Sequence, residues 1–130
     1  MRILKNLTLM FVLFILGCSN GNSPENIAVE YTKAYHQCDF TKAMSFCSPK
    51  MRQTMQKEAD FFMQQQLEKG VGKVNPRVSI IESEISKDGM KADVKLALGK
   101  SAIIEIGEGK TIEILIKLIK KDSVWYIGTE

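Results

Sequence analysis

Apolar residues follow two different periods along this chain. Between Ile27 and Leu67 they recur every three or four positions, and between Arg77 and Ile127 they alternate at every second position. The first spacing gives a helix one buried stripe; the second gives a strand one buried face. The pattern therefore predicts an α+β domain with helices first and a sheet second.

The helical half divides at its capping signals. Ser23-Pro24 reads as an N-cap followed by proline at the first helical position. Ile27, Tyr31, Ala34 and Tyr35 then predict a first helix reaching Gln37. Asp39 can cap a short second helix with Phe40, Ala43, Met44 and Cys47 on its apolar side. Ser48-Pro49 repeats the cap-and-proline signal. Met51, Met55, Ala59, Phe62, Met63 and Leu67 mark a long third helix, which Gly70 and Gly72 should end.

The strand half opens with Arg77 to Ser86, rich in β-branched residues. Its apolar side switches between Ile80 and Ile81, which predicts a bulge or bend. Lys87-Asp88-Gly89 is a turn. Met90, Ala92, Val94, Leu96 and Leu98 alternate with Lys91, Asp93 and Lys95, the signature of a half-buried strand. Gly99 to Gly109 is less regular, and Ile103, Ile104 and Ile106 are expected to make a short strand there. Ile112, Ile114, Ile116 and Leu118 line one face of the next strand. Lys121-Asp122 then turns into a last strand, Val124 to Ile127, carrying Trp125.

The first 17 residues fit neither period. Arg2 and Lys5 precede an uninterrupted, mostly apolar run from Leu7 to Leu16, followed by Gly17 and Cys18. That run is about half the ~20 residues a helix needs to cross a bilayer, and it has the length of a signal-peptide core. Ile15-Leu16-Gly17-Cys18 resembles the lipobox of bacterial lipoproteins. The resemblance implies cleavage before Cys18 and a diacylglyceryl group on its thiol, with fatty acids such as palmitate as the anchor. Two acyl chains suffice for stable anchoring where one does not. The expected organisation is a signal peptide at 1–17, a lipidated N-terminus and flexible tether at 18–22, and one domain at 23–130.

Charge adds an exclusion. Without Arg2 and Lys5, 16 of the 18 basic residues remain against 15 acidic ones. That near balance argues against a nucleic-acid partner, which usually needs a basic face. Of the three cysteines, Cys18 is taken by the lipid. Cys38 and Cys47 remain as an even pair in an exported chain, where a disulfide can persist. Such a bond would clip the first helix to the end of the second; the alternative is two free, buried thiols.

Candidate chemistry is sparse. His36, the single histidine, lies beside a turn and reads as exposed and idle, without the partner that a general base or metal site needs. Glu82 and Glu84 share one strand face, which reads as a solvated face rather than an acid–base pair. Asp39 is explained by capping. Met44, Met51, Met55 and Met63 fall on helical stripes, where methionine fills core gaps rather than binding copper. The sequence has no phosphate loop, nucleophile elbow or zinc spacing. No metal site and no cofactor are expected.

Several further features carry a family resemblance. The first helix ends in Gln37-Cys38-Asp39-Phe40, the short helix closes with Phe46-Cys47-Ser48-Pro49, a long helix follows, and antiparallel strands end in Lys-Asp-Ser-Val-Trp-Tyr-Ile at Lys121 to Ile127. From Ser23 to Ile127 the chain resembles the small bacterial lipoproteins of unknown function in the nuclear transport factor 2-like (cystatin-like) superfamily. The resemblance implies three N-terminal helices packed on a curved antiparallel sheet to form a cone. The cone's mouth is often a pocket, an active site or a partner surface, and the outer sheet face often forms homodimers. Enzymes of the superfamily place acidic, tyrosine or histidine side chains inside the cone. Here the inward positions are Val94, Leu96, Ile114, Ile116 and Leu118, all apolar.

The expected function is that of an envelope lipoprotein. Its non-catalytic domain would bind a protein or an apolar small molecule, in a modest cavity lined by Met55, Phe62, Leu96, Ile114, Leu118 and Trp125. The alternative is a small-molecule enzyme or a binder of a flat, lumazine-like heteroaromatic ligand. Ser19 after Cys18 favours the outer membrane, facing the periplasm, over the inner membrane.

Overall fold

The computed structural model describes residues 22–69 and 74–130. Among them the order is α1 (Pro24–His36), α2 (Phe40–Ser45), α3 (Pro49–Lys69), β1 (Val78–Ile85), β2 (Lys91–Leu98), β3 (Ile112–Lys121) and β4 (Val124–Ile127). Signal cleavage and lipidation at Cys18, and the stop at Gly70 and Gly72, fall outside the described residues.

Each helix starts where its cap predicts. Ser23 Oγ accepts the Asn26 N–H at 3.2 Å, with Pro24 next in line. Asp39 Oδ1 accepts the Lys42 N–H at 3.3 Å. Ser48 Oγ accepts the Met51 N–H at 3.4 Å. The end of α1 is a Schellman motif. Cys38 donates to Tyr35 O at 3.1 Å, Asp39 donates to Ala34 O at 2.9 Å, and Cys38 carries the left-handed φ of 64° between them. That position usually takes glycine, because a side chain there crowds the following carbonyl.

The sheet is an antiparallel meander in the order β1-β2-β3-β4. Its inner face pairs Ala92 with Leu118, Val94 with Ile116 and Leu96 with Ile114. The register of β1 against β2 slips between Ile80 and Glu82, so Ile81 is the bulged residue that the apolar switch predicts. β3 and β4 meet through Asp122 and Ser123, both at positive φ, as a two-residue hairpin of type I′ requires.

Helix α1 lies across the inner face and touches all four strands. Ile27, Ala28, Tyr31 and Ala34 meet Ala92, Val94, Leu96, Leu118, Trp125 and Ile127 in one core. Gly128, at φ 136°, lets β4 run against the start of α3: a Cβ there would stand 2.6 Å from Ser48 Oγ. The Ser48 N–H donates to Ile127 O, and the Ile127 N–H donates to Phe46 O, which ties the α2–α3 junction to β4.

Three expectations about these elements are corrected. The segment with Ile103, Ile104 and Ile106 is a loop, not a strand. Ser101 Oγ accepts the N–H groups of both Ile103 and Ile104, which folds the segment into a turn that no neighbouring strand pairs with. Met63 is exposed, not part of the buried stripe, which in α3 runs through Met55 and Ala59. The clip between Cys38 and Cys47 is not formed, since both are free thiols. Cys47 points into the core, where it donates to Ala43 O at 3.5 Å and to Met55 Sδ at 3.3 Å. Cys38 sits half-buried at the turn.

Candidate functional site

The six side chains expected to line a cavity are brought together, but as core. Met55, Leu96, Leu118 and Trp125 are buried, and Phe62 and Ile114 pack half-buried against them. Met55 Sδ is also held by the Tyr31 hydroxyl at 3.6 Å. Phe62 stacks on Phe40 with ring centres 6.0 Å apart. All six belong to the one cluster that fills the domain's interior. The reason is placement: α3 packs on α2 and Tyr31, while α1 covers the sheet. The surface depressions described below are lined by other side chains.

The inner face is uncovered at one margin. Ile80 and Ile85 both look inward by register, opposite Leu96 and Ala92, yet each is about half exposed, at 48% and 50%. On the helical side, Phe61 and Met63 are exposed as well. These apolar side chains, rather than the six expected ones, are the ones the domain leaves exposed.

The loop end of the domain holds a polar contact the sequence did not reveal. His36, expected to be exposed, is buried at 5% exposure, with Nδ1 2.6 Å from Ser101 Oγ. Burial pushes its pKa down to about 4, so the ring is neutral near pH 7. The His36 carbonyl accepts the Ala102 N–H at 2.8 Å, a second tie to the same loop. Ser101 Oγ already accepts two backbone N–H groups, so its own hydrogen is the one that reaches Nδ1. The contact places a hydroxyl against a neutral imidazole, as in a nucleophile–base pair. However, the two N–H bonds draw on the oxygen lone pairs that a nucleophile would need. Nothing local in the sequence pairs these residues, which lie 65 positions apart. Beside them, an open depression of about 430 Å³ is lined by Gln37, Asp39, Val74 and Asn75.

Charged residues gather on the outer face. Glu82 faces Lys95, and Glu84 faces Asp93, all at or near the solvent, as the alternation predicted. Lys117 Nζ approaches Asp93 Oδ1 at 3.5 Å. A depression of about 420 Å³ there is lined by Glu84, Ile85, Ser86, Lys87, Lys91, Ala92, Asp93 and Lys117. Among the described residues, no group of three or more histidine, cysteine or acidic side chains could hold a metal ion.

No family model and no curated protein sequence matches the chain. A solved structure does: a Campylobacter jejuni protein provisionally called an NTF2-like transpeptidase. It is similar over 83% of this chain and 99% of its own, at 21% identity and a TM-score of 0.57. The chain therefore has the nuclear transport factor 2-like fold, the three-helix, curved-sheet α+β arrangement that the sequence implied.

Proposed function

We propose that the chain is a membrane-anchored lipoprotein of the bacterial cell envelope, held by Cys18, whose domain binds a partner without transforming it. The single observation that carries the binding reading is the inner face of the sheet. Its positions Val94, Leu96, Ile114, Ile116 and Leu118 are apolar and packed, with exposed Ile80 and Ile85 at the margin. Catalysis in a cleft needs converging groups with tuned pKa values. An apolar margin next to a solid core suits the docking of another apolar surface. Ser19 after Cys18 supports placement on the outer membrane, facing the periplasm.

Membrane fractionation tests the anchor. The native protein is expected in the membrane pellet, resistant to high salt and released by detergent, and a Cys18→Ala chain is expected to lose processing or retention. Native protein recovered in the soluble fraction contradicts the proposal.

A second reading, an acyl-transfer enzyme, draws on the His36–Ser101 contact and on the name of the structural relative. The two readings part at Ser101. A fluorophosphonate probe labels a serine activated by an imidazole; labelling that is lost in Ser101→Ala supports the enzyme, and no labelling supports the binding module.

A further inference from the structure

The chain reaches the domain at one end of the sheet. Asn22 is pinned there on both sides of its amide: Nδ2 donates to Ser123 O at 3.0 Å, and Oδ1 accepts the Trp125 N–H at 3.4 Å. Cys18 lies four residues earlier. Even fully extended, four residues span about 14 Å. A lipid on Cys18 therefore keeps the β3–β4 turn within about that distance of the bilayer surface.

The β1–β2 turn lies at the same end. The Lys120 N–H donates to Met90 O at 2.8 Å, which sets residues 86–90 beside the 121–124 turn. The two turns and the strand ends next to them carry Lys87, Lys91, Lys120 and Lys121 against Glu84, Asp88 and Asp122, an excess of one cation. Exposed Ile85, Met90 and Val124 stand among them. Lys120 Nζ also lies 5.6 Å from the Trp125 ring centre. Cations interleaved with exposed apolar side chains suit a lipid headgroup layer. The opposite end, with His36, Ser101, Lys100 and Lys110, is separated from Asn22 by α1, whose 13 residues make it about 20 Å long.

We propose that this hairpin end docks onto the anionic headgroups of the bilayer that holds the anchor, so that the His36–Ser101 end faces away from the membrane. The inference rests on the anchored reading above. Near an anionic surface each net cation is worth roughly a fivefold bias. The tether supplies the local concentration that makes so small an excess sufficient.

The test uses intact lipoprotein extracted from membranes and reconstituted into phosphatidylcholine vesicles with or without phosphatidylglycerol. An impermeant amine-acylating reagent is applied, and each lysine is quantified by mass spectrometry. On vesicles with phosphatidylglycerol, Lys87, Lys91 and Lys121 should react at least about threefold more slowly than on phosphatidylcholine alone, with Lys100 and Lys110 unchanged. High salt should remove the difference. So should K87E/K121E, read at Lys91. Protein that floats with the vesicles while its lysines react alike on both lipids overturns the docking and leaves the anchor standing. Protein that does not float overturns the anchored reading, and the docking falls with it.

Discussion

His36 Nδ1 and Ser101 Oγ stand 2.6 Å apart and join the end of α1 to the loop between β2 and β3. The bond closes a span of 65 residues in the folded chain. It holds only while the ring is neutral, because a protonated Nδ1 would direct a hydrogen at an oxygen that already accepts two.

That relationship predicts a pH dependence. Burial lowers the folded pKa of His36 to about 4, below an unfolded value near 6.5. The unfolded state therefore takes up the proton first as pH falls. The stabilisation is complete above about pH 6.5 and is lost progressively down to about pH 4, at a total of about 3 kcal/mol. Chemical denaturation at pH 7 and pH 4.5 should show the loss, and in His36→Asn the part of the slope due to this residue should vanish.

Thr32 is buried at 1% exposure, and its hydroxyl finds no hydrogen-bond partner among the described residues. Thr32→Val keeps the shape and removes the unsatisfied group. Thermal unfolding should show a gain of about 1 kcal/mol.

Gly128 combines a positive φ with a close approach to Ser48 Oγ. Gly128→Ala strains the backbone and pushes α3 away from β4. The expected cost is about 2–3 kcal/mol by urea unfolding. Gly89, also at positive φ but with open space around it, should tolerate alanine better.

The two thiols should differ in reactivity. Burial pushes the Cys47 thiol up to about 12, with the Arg52 guanidinium opposing only in part. Cys38 is also raised by burial, but it is half-exposed. Alkylation of the folded protein at pH 8 should modify Cys38 first, with Cys47 reacting only on unfolding. A reducible Cys38–Cys47 disulfide in native protein would contradict the free thiols.

Much of the fold was legible because its signals are local. Ser23, Asp39 and Ser48 cap the helices they mark, and the switch at Ile80–Ile81 is a bulge. The misreadings share one cause, contacts remote in sequence. The burial of His36 depends on Ser101, and the loop around Ile103 depends on that same serine. Met55, Leu96 and Trp125, expected to line a cavity, share one core cluster. Whether they enclose a space or fill it depends on where α3 packs, which periodicity does not encode. Met63 lies on the apolar stripe, but at that turn of the helix it is Phe62 that packs on α2, and Met63 is left exposed.

The central claim is a domain tethered to a membrane by lipid on Cys18, and intact mass spectrometry of the native protein, extracted from membranes with detergent, tests it most directly. The account predicts a mature chain that begins at Cys18 and carries a diacylglyceryl group on that residue. A chain that begins elsewhere, or an unmodified Cys18, would contradict it.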